Sequence, residues 1–153
     1  MPHQNSTKCH IKILPNATSK FCQTPHQNSD KCHIKILPNA TFGLIFETLC
    51  VRDLRVYADA LNGTVYHYRD KNNLECDAVV HLGNGSYGLI EIKLGGNNLI
   101  NEGAANLLVL ANNIDTTKMK KPSFLMVLTG VGEYAYKRPE DGVLVVPIGC
   151  LKN

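Results

Sequence analysis

Apolar residues recur with a regular period only from Phe42 onward, and helical and strand periods alternate from there. Residues 43–61 (GLIFETLCVRDLRVYADAL) carry Phe46, Leu49, Cys50, Leu54, Tyr57 and Leu61 at helical spacing, which predicts an amphipathic helix. Asn62-Gly63 supplies a left-handed stop. Short strands are expected over 65–69, 74–82 and 87–94, with turns at Asp70-Lys71-Asn72-Asn73 and Gly83-Asn84-Gly85-Ser86 between them. Gly95-Gly96 breaks the pattern. Residues 98–113 return to helical spacing, with Ile100, Ala104, Leu107, Leu108 and Ala111 on the expected buried side. The run FLMVL within 123–129 suits a sheet interior, and 133–136 and 143–147 read as later strands. The order αβββαβ, with short extras, predicts an α/β sandwich around a mixed central sheet.

The first forty-one residues follow a different logic. Residues 2–18 (PHQNSTKCHIKILPNAT) and 25–41 (PHQNSDKCHIKILPNAT) are copies that differ only at Thr7 and Asp30. A solenoid needs about three or more such units to bury a continuous core. The expectation is a duplicated, poorly ordered leader, with His10–Ile13 and His33–Ile36 as the only strand-like stretches. His3, Cys9, His10, Cys22, His26, Cys32 and His33 could each ligate zinc, but no C-x-x-C pair is present and the spacings fit no common zinc module. Two domains are therefore expected: a leader over 1–41 and a folded domain over 42–153.

Charge divides at the same place. The net +3 of the whole chain comes from five lysines and one aspartate in 1–41, against eleven Lys/Arg and twelve Asp/Glu in 42–153. The folded region is thus not basic, which counts against a strong grip on a polyanion. Lys118, Lys120, Lys121, Lys137-Arg138, Arg69 and Lys71 are the cations available for such a footprint. No apolar run is long enough to span a bilayer and no signal-peptide core is present, so no membrane association and a cytoplasmic location are expected. The six scattered cysteines read as free thiols, several of them in the core.

The candidate chemistry lies on the second and third strands. Strand alternation puts Glu75, Asp77, Val79 and His81 on one face, and Cys76, Ala78, Val80 and Leu82 on the other. Tyr87, Leu89, Glu91 and Lys93 likewise oppose Gly88, Ile90, Ile92 and Leu94. If the apolar faces coincide, a three-residue Gly83-Asn84-Gly85 loop sets Asp77 opposite Glu91, with Cβ atoms about 5 Å apart. Two such carboxylates repel unless protonated or metal-bound. Mg²⁺ is the expected cofactor, with Asp77, Glu91 and the Ile92 carbonyl as protein oxygens and Glu47, on the first helix, acting through a metal water. Lys93 would position or deprotonate the attacking water and offset phosphate charge. Glu-x-Lys alone is common on solvated strands; the acidic partner and the register give it weight. Arg69 beside Asp70 reads as a turn ion pair, and Tyr66 and Tyr68 as sheet packing.

The segments FGLIFETLCVRDLRVYA, VYHYRDKNNLECDAVV, YGLIEIKLGG and DGVLVVPIGCLK resemble the C-terminal domain of unknown function carried by many prokaryotic AAA-type ATPases. That domain is similar in fold to the PD-(D/E)xK restriction-endonuclease-like proteins. The resemblance implies that Glu47 is the helix glutamate, Asp77 the metal aspartate, Glu91 and Lys93 the E-x-K pair, and Glu75 an additional acid. It implies DNA as partner and Mg²⁺-dependent phosphodiester cleavage as activity. The chain departs from the family in lacking any G-x-x-x-x-G-K-[ST], so no P-loop nucleotide binding is expected, and the leader stands where the ATPase domains would be. A nuclease, a catalytically inactive accessory module and a truncated ATPase fragment are the three functional expectations.

Overall fold

The computed structural model describes residues 39–151. The strand-like stretches and zinc candidates of the leader lie outside the described residues. In chain order the elements are α1 (Asn39–Ala60), β1 (Gly63–Arg69), β2 (Glu75–Leu82), β3 (Tyr87–Lys93), α2 (Asn97–Asn113), β4 (Phe124–Thr129), β5 (Tyr136–Lys137) and β6 (Leu144–Pro147), followed by a 3-10 turn at Ile148–Cys150. The strands form one mixed sheet in the order β1-β2-β3-β4-β6-β5. The β1–β2, β2–β3 and β5–β6 pairs are antiparallel, and β3–β4 and β4–β6 are parallel. A parallel neighbour needs a crossover, and α2 provides the one from β3 to β4.

Two cores flank the sheet. On one side Phe46, Cys50 and Leu54 of α1 pack on Ala78, Ile90, Ile92, Met126 and Leu128. On the other, Ala104, Leu107 and Leu110 of α2 pack on Cys76, Tyr87, Leu89, Val127 and Val143. Every residue from Tyr87 to Ile92 is buried, as a central strand covered on both faces requires. No helix among the described residues is long and apolar enough to cross a membrane.

Several sequence expectations are corrected. The helix does not wait for residue 43: α1 starts at Asn39, inside the second repeat copy. Its buried stripe is Phe46, Cys50, Leu54 and Ala58, a strict four-residue spacing. Leu49 and Leu61 fall off that stripe and are exposed. On α2, Gly103 and Leu110 are buried besides the expected Ala104 and Leu107, and Ile100, Leu108 and Ala111 pack partly buried against the same core. The strand expected at 133–136 is displaced to Tyr136–Lys137, where it pairs with β6. Tyr66 and Tyr68 lie exposed on the edge strand β1, and Tyr66 meets the His81 ring edge to face across the β1–β2 pair. Arg69 donates to Asn73 Oδ1, not to Asp70, whose carboxylate caps the Asn72 and Leu74 N–H groups.

The turns hold as read. Asn62 ends α1 with φ 53°, and Gly85 closes the β2–β3 loop with φ 80°. Leu82 N–H donates to Ser86 O, leaving the three-residue loop 83–85 between them.

Candidate active site

Register brings the two strand carboxylates together. β2 and β3 pair as Ala78↔Ile90, Val79↔Leu89, Val80↔Gly88 and His81↔Tyr87. One further step sets Asp77 beside Glu91, as the hydrophobic pattern requires. There the ladder gives way to a side chain: Asp77 Oδ2 accepts the Ile92 N–H at 2.6 Å. Ile92 thus enters the site through its N–H, beside the carbonyl that the sequence reading offered as a ligand.

The other edge of β2 carries a β-bulge. Tyr66 pairs with Val79 but Tyr68 with Cys76, so Asp77 and Ala78 together oppose His67. Strict alternation therefore fails at this point. Cys76, expected on the face of Ala78, packs instead in the core under α2, while Ala78 packs under α1. A bulge of this kind locally kinks a strand and re-aims a side chain, here at Asp77.

Asp77, Glu91 and Lys93 line one polar cavity of about 230 Å³, together with Asn73, Leu74, Glu75 and Asn106. Glu91 is 3% exposed and its Oε2 lies 3.0 Å from Lys93 Nζ. A buried carboxylate is expensive unless paired. One lysine does not balance its surroundings: burial and then the charge of Asp77 push the Glu91 carboxyl up to about 7, against the pull of Lys93. Burial also raises Asp77 above its ordinary value, opposed by the Ile92 N–H and by Lys93. Glu47 is raised in turn by burial, then by Asp77 and Glu75, which places its charge within reach of the cluster. Burial alone would depress the Lys93 ammonium, but the hydrogen bond and charge of Glu91, with Asp77 and Glu102 behind it, lift it above its ordinary value. Lys93 is therefore favoured as a cation beside Glu91.

Glu75 stands at the margin, its Oε1 2.8 Å from His67 Nε2. This pair occupies the bulged stretch of β1 and β2, so His67 is partnered rather than alone.

The donor set suits a hard divalent cation. Mg²⁺ characteristically takes one or two carboxylates and keeps several waters. Asp77 and Glu91 are two oxygen donors whose mutual repulsion a cation would relieve. Among the described residues no three His, Cys, Asp or Glu side chains converge as a ligand group. Glu47 stands within reach of the field of Asp77, which helps to raise its carboxyl.

Sequence reasoning named Asp77, Glu91, Lys93, Glu47 and Ile92, and the first three share the cavity. It missed Asn73 and Asn106. Asn73 has φ 61° at the end of the β1–β2 turn, a conformation that Asn tolerates. For Asn106 the available signal was one polar side chain in the otherwise apolar stretch GAANLLVLA. Cys50 and Cys76 are fully buried, and burial pushes both thiols up to about 12, so they are packing residues and not nucleophiles.

These features define an α/β domain with a mixed six-stranded sheet, a helix on each face and an acidic cavity at the β2–β3 junction. The chain belongs to the family described as "Domain of unknown function (DUF4143)", whose model matches residues 42–151. No curated protein and no solved structure matches it.

Proposed function

We propose that the described domain is a restriction-endonuclease-like module of the kind found at the C-terminus of AAA-type ATPases, and that its cavity binds Mg²⁺ and cleaves a DNA phosphodiester. The observation that carries the reading is the buried Glu91, paired with Lys93 and facing Asp77 in one polar cavity. A structural ion pair would not need a second carboxylate beside it. That second carboxylate raises the cost of the first, and a cation removes the cost.

A bound divalent cation would supply a more acidic water and offset charge on the phosphate. The chain's own residues do the rest. Asp77, fixed by the Ile92 N–H, presents its free oxygen at a constant angle. A cation would offset both the burial and the Asp77 charge that raise the Glu91 carboxyl, favouring its ionised form. Lys93 keeps its charge and directs it at the negative charge on the phosphate oxygens.

The test is cleavage of single-stranded and duplex DNA by the full chain in Mg²⁺ or Mn²⁺. Asp77→Ala and Lys93→Ala are expected to abolish cleavage while the chain still unfolds cooperatively. Cleavage that survives Asp77→Ala sinks the assignment.

One observation favours a second reading, an inactive accessory module. Eleven basic against twelve acidic residues in 42–153 leave little positive field to hold a polyanion. Metal binding without cleavage on any nucleic acid would select it.

A further inference from the structure

Helix α2 crosses the sheet where Glu91 and Lys93 face it, and a glycine permits the close approach. A Cβ at Gly103 would lie 3.4 Å from Glu91 Cβ, Lys93 Cε and Val127 Cγ2. Asn106 is three residues on, so it shares that helix face one turn away. It is half-buried and lines the same cavity as Asp77, Glu91 and Lys93.

Asn106 is an unusual choice there. It is the one polar residue in GAANLLVLA, and asparagine is a poor residue for a helix interior. The other polar groups of the wall are committed: Asn73 to Arg69, Glu75 to His67, Asp77 to Ile92 N–H, and Glu91 to Lys93. Asn106 carries no such bond among the described residues. Its amide presents two donors and an acceptor to the cavity.

We infer that Asn106 is a substrate-contacting residue, whose side-chain amide donates to a non-bridging oxygen of a phosphodiester held over Asp77 and Glu91. The inference rests on the reading of the cavity as a phosphodiester site. The neutrality of the amide is part of the logic. A second basic side chain here, beside Lys93, would pair with Asp77 or Glu91 and compete with a bound cation. An amide donates to an anionic oxygen without taking a carboxylate from the metal.

The test uses the full chain as wild type, Asn106→Ala, Asn106→Gln and Asp77→Ala. Mn²⁺ binding is read by calorimetry. Binding of fluorescent single-stranded and duplex DNA oligonucleotides is read separately, in Ca²⁺. Asn106→Ala is expected to bind Mn²⁺ within twofold of wild type and to bind the oligonucleotide about tenfold more weakly, the scale of one hydrogen bond to a charged acceptor. Asn106→Gln, which keeps the amide, is expected to recover part of that loss. Oligonucleotide binding unchanged in Asn106→Ala overturns the inference. So does a parallel loss of Mn²⁺, which would make the residue a support for the metal site or the fold. A wild type that binds neither Mn²⁺ nor oligonucleotide, and behaves as Asp77→Ala does, overturns the underlying phosphodiester reading and this inference with it.

Discussion

Replacing Glu91 by glutamine removes a titration that the folded chain handles badly. The folded carboxyl is pushed up to about 7 from an ordinary 4.5, by burial first and then by Asp77. A raised acid has the opposite sign from a salt-bridged one. Between about pH 4.5 and 7 the folded state keeps a proton that the unfolded chain has lost, so stability falls as pH rises through this window. At about 1.4 kcal/mol per pKa unit, the shift amounts to about 3 kcal/mol lost by pH 8. The attraction of Lys93 is already contained in the value near 7, so the loss is net of that ion pair. Glutamine cannot ionise. Asp77 and Glu47, raised in the same direction, remain in both proteins, so the comparison reads Glu91 together with its coupling to Asp77. The assay is urea unfolding of the full chain at pH 4.5 and pH 8 without divalent cations. Wild type is expected to lose about 3 kcal/mol more than Glu91→Gln between the two, and Mg²⁺ at pH 8 to restore wild type but not the variant. Equal pH slopes in the two proteins would refute the reasoning, because Glu91 would then be relieved by something other than a cation.

Other expectations follow from the same packing. Asp77→Asn removes the negative neighbour of Glu91, so the Glu91 carboxyl measured by NMR titration moves down from about 7; no change would show that burial alone sets it. Leu107, 1% exposed on the buried face of α2, is expected to cost about 2–5 kcal/mol as Leu107→Ala in a denaturant titration, whereas exposed Val109→Ala stays within about 0.5 kcal/mol. Gly103→Val is expected to cost about 1–3 kcal/mol by forcing α2 off Glu91 and Lys93, and to weaken Mn²⁺ binding in calorimetry; wild-type affinity in a folded variant would show that α2 does not shape the cavity. Cys50 and Cys76 are expected to resist alkylation in native buffer and to react in urea, read peptide by peptide by mass spectrometry.

The sheet was legible because its two faces are both apolar. The alternation in YGLIEIK and the three-residue loop at Gly83–Gly85 were enough to place Asp77 beside Glu91, and the β2–β3 register agrees. What alternation could not show was the bulge. One extra residue on β2 turns Cys76 to the α2 side, and nothing in ECDAVV marks the site of an inserted residue. The helix faces were read too broadly for a related reason. Leu49 and Leu61 are as hydrophobic as Leu54, and only the layer they meet decides which is buried. Asn106 escaped because sequence does not reveal that α2 passes close over Glu91; Gly103 makes that contact possible, and a lone glycine in a helix carries no such message by itself. The paired glycines 95 and 96, by contrast, were rightly a strand exit, with φ values of 129° and 92° that other residues rarely adopt.

The central claim is that Asp77 and Glu91 are held together for a divalent cation. The most direct measurement is calorimetric titration of Mg²⁺ and Mn²⁺ into the full chain, wild type beside Asp77→Ala. Saturable binding by wild type that disappears in a cooperatively folded Asp77→Ala is the predicted result. No binding by folded wild type, or binding that Asp77→Ala retains, would contradict it and leave Glu91 and Lys93 as a buried structural pair.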